Sequence, residues 1–304
     1  MKILVTGRNG QVGWELARAL LPVGEVVACG RGELDLGDAG ALRAAVAALR
    51  PDVIVNAAAY TAVDRAETEE EPAHRVNAVA PGVLAEVAAQ SGALLVHYST
   101  DYVYDGRKAA PYDEDDATAP LGAYGRGKLA GEAAIRAAGA DHLILRTSWV
   151  YGARGGNFLR TILRLAAERD ELRVVCDQFG APTWSRFIAC ATARVVAHAL
   201  DERRRGGFAS GVFHLAAAGE TSWHGFAEAL LREAARLPQA PPLRVRAVHA
   251  IPSAEYPLPA PRPANSRLST RRLHERFGVH AAPWEAAMRL CLEDLFGAAP
   301  AGAR

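Results

Sequence analysis

The sequence predicts an α/β fold in which a doubly wound, Rossmann-type parallel sheet is joined to a smaller C-terminal α+β domain. Short β-branched runs alternate with Ala- and Leu-rich stretches of helical spacing over the first 150 residues. A glycine-rich turn separates the first strand from the first helix, and the alternation fades after about residue 150, where proline becomes frequent. Continuous apolar strands separated by helices are typical of a parallel sheet covered on both faces.

The elements follow in order from this periodicity. Strands are predicted over 2–6, 25–30, 52–58, 94–99 and 142–147, and helices over 10–21, 39–50, 71–90 and 124–139. These assign residues 1–150 to a dinucleotide-binding Rossmann domain, to which a helix over 186–201 is expected to return. The second domain, 151–304, is expected to use mainly 151–183 and 211–304, with a frayed tail over 297–304.

Composition excludes several classes of protein. The 304 residues carry a formal net charge of +1, which leaves no basic surplus for nucleic acid. No run approaches the roughly 18–20 apolar residues of a membrane span, and the N-terminus shows no signal peptide. The four cysteines are scattered and fit reduced thiols better than disulfides or a zinc site. We therefore expect a soluble cytoplasmic protein.

The first turn has the spacing of a dinucleotide site. Gly7 permits a tight turn, Gly10 lets backbone N–H groups approach a pyrophosphate, and Gly13 lets the helix lie close to the sheet. The positive end of the helix dipole adds to phosphate binding. Arg31 stands at the end of the second strand, where an acidic residue would repel a 2′-phosphate, so NADPH is favoured over NADH, although Glu33 lies close by.

Tyr124 and Lys128 are the candidate proton-transfer pair. They lie four residues apart at the start of a predicted helix and can share one face. A nearby cation would lower the tyrosine pKa, so that the hydroxyl can exchange a proton with a carbonyl oxygen. The chain has three lysines and 32 arginines, so this pairing is unlikely to arise by chance. Ser99 or Thr100, at the end of a strand, can place a hydroxyl beside Tyr124, whereas His97 is expected to be a core residue.

Longer segments resemble one family, the dTDP-4-dehydrorhamnose reductases of the extended short-chain dehydrogenase/reductase superfamily. The resemblance covers nearly the whole chain and is most specific in GQVGWEL (10–16) and in HYSTDYV (97–103). It continues in RPDVIVNAAAYTAVDRAE (50–67), YGRGKLAGE (124–132), RTSWVYG (146–152), NFLRTILRLAAER (157–169), DQFGAPT (177–183) and RPANSRL (262–268).

The resemblance implies roles for individual residues. Thr100, Tyr124 and Lys128 match the catalytic triad. The cofactor contacts are matched by Gln11, Val12, Asp35, Leu36, Ala59, Tyr60, Thr61 and Tyr98, and the sugar site by Val63, Asp101 and Trp149. Arg262 and Arg267, with Asn265, suit a nucleotide diphosphate because arginine forks bind phosphate oxygens in pairs. Glu15 matches a carboxylate associated with Mg²⁺ at a subunit interface, but Arg186 stands where another carboxylate is expected.

The implied reaction is reduction of dTDP-4-dehydro-6-deoxy-L-mannose at C4 by NADPH or NADH. Its product, dTDP-L-rhamnose, is a precursor of bacterial surface polysaccharides, including lipopolysaccharide. A homodimer is compatible with the resemblance. Two alternatives stay open at this point: an epimerase or dehydratase of the same fold that retains NAD, and a non-catalytic, reductase-like regulatory subunit.

Overall fold

The computed structural model describes residues 1–297 of the chain. Its strands are β1 Lys2–Thr6, β2 Glu25–Cys29, β3 Val53–Asn56, β4 Leu94–Thr100, β5 His142–Thr147, β6 Val150–Tyr151, β7 Glu171–Val175, β8 Phe179–Gly180, β9 Thr183–Trp184, β10 Gly211–His214, β11 Thr221–Ser222 and β12 Ala247–Ile251. Its α-helices are α1 Gln11–Ala19, α2 Ala39–Leu49, α3 Val63–Ala66, α4 Glu70–His74, α5 Ala80–Ser91, α6 Ala123–Ala137, α7 Phe158–Glu168, α8 Ser185–Arg204, α9 Trp223–Ala234, α10 Arg271–Phe277 and α11 Trp284–Phe296.

Six parallel strands form the main sheet, in the order β10-β5-β4-β3-β1-β2. This confirms the predicted doubly wound α/β class. The first strand, β1, lies one strand in from the edge, and the chain adds β2 on one side of it and β3, β4, β5 and β10 on the other, so the strand order reverses between β1 and β3. In open parallel sheets, ligands bind beyond the carboxyl ends of the strands at such a point.

Helices cover both faces of this sheet because its strands are apolar on both sides. On one face, α1 packs against α8, and Leu16, Ile188 and Val195 join the core with Ile3 and Val55. On the other face, α2, α5 and α6 cover a second cluster of buried apolar residues. The segment predicted as one helix over 71–90 is α4 and α5 joined by a π-helical turn at Arg75–Val79.

Elements that follow residue 150 in the chain form a second region with its own apolar core. Helices α7, α9 and α11 and the parallel pair β7 and β12 enclose Leu159, Phe226 and Trp284 in a separate apolar core. Asn157 and Ser222 begin α7 and α9 by accepting hydrogen bonds from the backbone N–H groups of Arg160 and Gly225.

The structure draws the boundary between the two regions differently from the sequence. Residues 211–304 were assigned mainly to the second domain, yet β10 pairs in parallel with β5 as the sixth strand of the main sheet. Leu273 and Phe277 of α10 also pack in the main-sheet core. The helix expected over 186–201 is α8, and it lies against α1 on that sheet.

Residues 298–304, which make up most of the tail predicted to be frayed, lie outside the described residues. Within residues 1–297, no helix is both long enough and apolar enough to cross a membrane.

Candidate active site

The glycine-rich turn between β1 and α1 is closely packed. Gly7 has φ +74°, a left-handed conformation that glycine adopts without strain. A Cβ at Gly13 would lie 2.1 Å from the carbonyl oxygen of Gly7, so only glycine allows α1 to approach the turn this closely. The N–H of Gly10 donates to the same oxygen at 2.9 Å. The turn therefore has the shape that a pyrophosphate-binding loop requires.

A cavity of about 770 Å³ opens beside this turn, at the carboxyl ends of the strands. It brings together most of the residues predicted to bind cofactor: Gly7, Gly10, Gln11, Val12, Arg31, Asp35, Leu36, Ala59, Tyr60, Thr61, Tyr98, Tyr124 and Lys128. Of the predicted substrate residues, Val63, Thr100, Asp101 and Trp149 line it as well. Gly13 is not part of the lining, and its role is to position α1.

Charges at the end of β2 bear on the choice of dinucleotide. The side chain of Arg31 is 86% exposed at the cavity and its Nε lies 3.5 Å from Asp35. The carboxylate of Glu33 is held by Arg8 at 2.5 Å and accepts a hydrogen bond from the N–H of Gly30 at 2.7 Å. The negative charge of Glu33, which would oppose binding of a 2′-phosphate, is thus paired with Arg8.

Thr100 and Tyr124 come from different elements and share one wall of the cavity. Thr100 ends β4, and its hydroxyl accepts a hydrogen bond from the N–H of Tyr102 while donating to Asp101 at 3.1 Å. Tyr124 lies in the first turn of α6. Burial raises the pKa of Tyr124 to about 12, and a hydrogen bond with Thr100 acts in the opposite direction. The phenol is therefore a protonated donor at neutral pH.

Lys128 lies one turn further along α6 and is 2% exposed. Burial lowers the pKa of its ammonium group to about 7, and the Glu132 carboxylate opposes this shift. Lys128 was expected from the sequence to lower the pKa of Tyr124. That pKa is instead raised, by burial first and by the charge of Asp101, and Lys128 is not among the groups that shift it.

Asp101 adds an unusual carboxylate to the same wall. It is buried, and no group among the described residues forms a hydrogen bond with its Oδ2. Burial raises the pKa of Asp101 to about 6, while the hydroxyls of Ser266 and Thr100 act to lower it. A buried oxygen without a partner is costly, so this atom is suited to accept a hydrogen bond from a ligand hydroxyl.

Two stacked tryptophans form the wall toward the second region. The rings of Trp149 and Trp223 lie 3.6 Å apart and nearly parallel, at 9°. Trp149 has φ +49°, a strained backbone for a bulky residue. A Cβ at Gly180 would meet its ring at 2.6 Å, so the glycine makes room for the indole. Both tryptophans line the cavity, and the role in sugar binding that the resemblance implies for Trp149 stays a prediction.

A second cavity, of about 460 Å³, adjoins the first and shares Tyr102 and Trp223 with it. Its lining is largely apolar and aromatic, with Phe158, Ile162 and Tyr256 among its residues. Arg262, which is predicted to bind the diphosphate, lies in its lining, but its guanidinium is already paired with Asp64 at 2.8 Å. The shape suits the planar, partly apolar body of a nucleoside.

Two predicted substrate residues lie elsewhere. Asn265 donates to the backbone carbonyls of Lys108 and Ala110, and Arg267 donates to Asn265 and to Glu220 at 2.7 Å. Neither residue lines either cavity. Their polar groups are satisfied within the protein, so the structure gives them a role in fixing the 105–112 loop.

The comparisons with known proteins agree with this geometry. The model of the RmlD substrate binding domain family matches residues 1–296. A dTDP-4-dehydrorhamnose reductase from Burkholderia thailandensis is 55% identical over 295 residues, covering 97% of this chain and 99% of the relative. One from Escherichia coli K12 is 44% identical, covering 97% and 98%.

The chain belongs to the dTDP-4-dehydrorhamnose reductase family. Among solved structures, a dTDP-4-dehydrorhamnose reductase from Clostridium acetobutylicum matches with a TM-score of 0.87 and 36% identity, over 97% of this chain and 99% of that one. The Bacillus anthracis enzyme in complex with NADP matches with a TM-score of 0.85 and 31% identity, over 96% and 99%. Both the resemblance read from the sequence and the Rossmann-type fold are confirmed.

The residues around Glu15 do not fit the metal that the family resemblance raised. Arg186 donates to Glu15 at 3.2 Å and lies 2.8 Å from Asp294, so a guanidinium occupies the space between the two carboxylates. Across residues 1–297, no cluster of three or more His, Cys, Asp or Glu side chains could hold a metal ion. We assign no role in this reductase to a metal.

The reductase site also contains residues that the sequence motifs did not identify. Asn9 lies within the glycine-rich turn and Tyr102 within HYSTDYV, and both line the main cavity. Their place in these motifs could therefore have predicted that they belong to the site. Trp223 carried no signal, because only the fold brings α9 against Trp149.

Proposed function

We propose that this reductase converts dTDP-4-dehydro-6-deoxy-L-mannose to dTDP-L-rhamnose, with a reduced nicotinamide dinucleotide as the hydride donor. The observation that carries the proposal is that Thr100, Tyr124 and Lys128 share one cavity with the glycine-rich turn. The substrate is inferred from two relatives, at 44% and 55% identity, that are dTDP-4-dehydrorhamnose reductases. When bound, the dinucleotide provides the hydride that reduces C4 of the sugar.

The protein's own residues then handle the oxygen of the reacting carbonyl. Tyr124, protonated at neutral pH because of its raised pKa, gives its proton to the alkoxide that forms. The Thr100 hydroxyl orients the carbonyl oxygen toward Tyr124. Asp101 accepts a hydrogen bond from a sugar hydroxyl through its unpartnered Oδ2. Lys128 binds the ribose of the dinucleotide and responds to the negative charge left on Tyr124.

NADPH is the cofactor we propose as preferred. Arg31 is exposed at the end of β2 with only a 3.5 Å contact to Asp35, and Arg8 pairs with the nearby Glu33, so the Arg31 guanidinium can turn toward a 2′-phosphate. The NADP complex of the Bacillus anthracis relative supports the same choice.

For the substrate, we propose that the second cavity holds the nucleoside and that Arg262 turns toward the diphosphate.

We also propose that the enzyme works in the cytoplasm. All four cysteines, which lie within the described residues, are free, as is usual in a reducing compartment.

The test is a direct assay of turnover. The dTDP-4-keto sugar is generated in situ, and the fall in NADPH absorbance is followed beside parallel reactions with NADH and with a UDP-linked analogue. We expect net NADPH consumption with the dTDP sugar and a slower reaction in both parallel samples. A purified protein that carries tightly bound NAD and consumes no NADPH would refute the proposal in favour of an epimerase or dehydratase.

A further inference from the structure

The first residue of α1 brings a side-chain amide to the glycine-rich turn. Gln11 follows Gly10 directly and lines the main cavity. Its Oε1 can only accept hydrogen bonds and its Nε2 can only donate them, and a half-turn of the amide exchanges the two. Phosphate oxygens only accept, so one of the two orientations offers a bound dinucleotide a donor and the other does not. The orientation is decided by Asn157, which lies 146 residues further along the chain.

Backbone groups fix the orientation of Asn157 itself. Its Oδ1 accepts a hydrogen bond from the N–H of Arg160 at 3.0 Å, which makes Asn157 the N-cap of α7. Its Nδ2 donates to the carbonyl oxygens of Gly152 and Arg154, at 2.9 and 3.3 Å. A backbone N–H can only donate and a backbone carbonyl can only accept, so turning this amide over would break all three bonds. Asn157 is therefore held in a single orientation.

Asn157 passes this constraint on to Gln11. Nδ2 of Asn157 lies 2.9 Å from Oε1 of Gln11 and donates to it. Turning the Gln11 amide over would lose this bond and place two donors against each other. Among residues 1–297, no group accepts a hydrogen bond from Nε2 of Gln11. This donor therefore stays available to a ligand in the cavity that Gln11 lines.

The loop that precedes α7 packs against the first turn of α1. Gly155 has φ +72°, and a Cβ there would lie 3.2 Å from Cγ of Gln11. The guanidinium carbon of Arg154 lies 3.8 Å from the centroid of the Trp14 ring, less than one helical turn beyond Gln11 on α1. Gly155 and Gly156 line the same cavity as Gln11. The contact between Gln11 and Asn157 is therefore part of a packed junction between the cofactor turn and α7.

We propose that Asn157 is a positioning residue for cofactor binding, which fixes the Gln11 amide so that its Nε2 donates to a phosphate oxygen of the dinucleotide. Gln11 stands at the positive end of the α1 dipole, beside a turn whose shape suits a pyrophosphate. A hydrogen bond to a charged phosphate is stronger than one between neutral groups. The inference rests on the proposed function only in taking a dinucleotide as the ligand of the main cavity.

Fixing the amide in advance lowers the cost of binding. Without a donor at position 157, the Gln11 side chain would be free to turn, and its oxygen would face the phosphate part of the time. The dinucleotide would then have to order a long side chain, which reduces its affinity. A group at position 157 that only accepts hydrogen bonds would go further, because it would draw Nε2 toward itself and turn Oε1 toward the phosphate.

The test uses residues that begin helices equally well. Asn, Ser and Asp are all favourable N-caps, so Asn157→Ser and Asn157→Asp should both keep α7. Serine lacks the amide donor, and aspartate replaces the donor by an acceptor. In fluorescence titrations of the intact protein with NADPH, we expect Asn157→Ser to raise the Kd about fivefold. We expect Asn157→Asp to raise the Kd at least about twentyfold. A role in capping alone predicts no such order.

Three controls separate positioning of Gln11 from a general disturbance of the site. In protein that also carries Gln11→Met, which removes the amide, Asn157→Ser should change the NADPH Kd by less than about twofold. Adenosine 2′-monophosphate has the phosphate that Arg31 is proposed to bind but no pyrophosphate, and its Kd should be equal in Asn157→Ser and the wild type. Ser222→Asn makes the reverse exchange at the N-cap of α9 and should leave NADPH binding unchanged.

Three results would each overturn the proposal: an unchanged NADPH Kd in both Asn157 variants, an equal effect of Asn157→Ser with and without Gln11→Met, or an equal loss of affinity for adenosine 2′-monophosphate. Should the Asn157 variants fail to fold, Gln11→Glu decides the matter. It keeps an acceptor for Asn157 but has no donor for a phosphate, so the NADPH Kd should rise at least about twentyfold, and an unchanged Kd would overturn the inference. Because no sugar is added, a protein that binds NADPH as expected but reduces no keto sugar would refute the proposed function alone.

Discussion

Replacing Lys128 by methionine should abolish turnover and, at the same time, stabilise the fold. Burial lowers the pKa of this lysine from 10.5 to about 7. At about 1.36 kcal/mol per pKa unit, keeping this amine buried costs the folded state about 5 kcal/mol when the group is fully protonated in the unfolded chain. Methionine has similar length and no charge. The change removes the 3.1 Å hydrogen bond between Nζ of Lys128 and Nε2 of the buried His97, which is worth about 1 kcal/mol. We expect a net gain of about 3 kcal/mol at pH 7.

The sign of the pH dependence makes this prediction specific. The folded pKa of Lys128 lies below the unfolded one, so the free energy of unfolding of the wild type rises with pH between about 7 and 10.5. The advantage of Lys128→Met should therefore shrink to about 1 kcal/mol at pH 9. Urea unfolding at the two pH values measures it, with Lys2→Met as the control. A variant that is less stable than the wild type at both pH values would refute the reasoning.

Three further predictions concern other parts of the site. Tyr124→Phe should lower kcat at least about a hundredfold, the scale of one general acid, while fluorescence titration shows unchanged NADPH binding; near-normal turnover would remove Tyr124 from the chemistry. Arg31→Ala should raise the KM for NADPH about tenfold and leave that for NADH within about twofold, and equal effects on both would contradict the assignment of the 2′-phosphate site. Arg267→Ala should lower the free energy of unfolding by about 1–2 kcal/mol in urea, since it breaks bonds to Asn265 and Glu220, with the KM for the sugar substrate unchanged; a KM rise of tenfold at full stability would return Arg267 to the substrate site.

The first half of the fold was predictable because its signals are local. Strands β1 and β5 begin and end where the apolar runs do, and the spacing of Gly7, Gly10 and Gly13 follows from contacts within a single turn. The same holds for Tyr124 and Lys128, which are neighbours on one helix.

The rest depended on contacts between distant segments. No property of GVFH (211–214) distinguishes a sixth sheet strand from a strand of the second region, because the pairing with β5 decides it. Arg267 has the chemistry of a phosphate ligand, and only the position of Glu220, 47 residues away in the chain, shows that its charge is already paired.

The placement of β10 and α8 has a consequence for how the molecule can be divided. The chain leaves the main sheet after β5, returns to it for α8 and β10, and leaves again before α9. A fragment ending at residue 150 would expose the edge of β5 and the apolar face that α8 covers, so neither region corresponds to a contiguous, separable segment. Grafting the substrate region onto another scaffold would require several junctions. Any movement of the second region relative to the main sheet must likewise change the backbone conformation of several connecting segments at the same time.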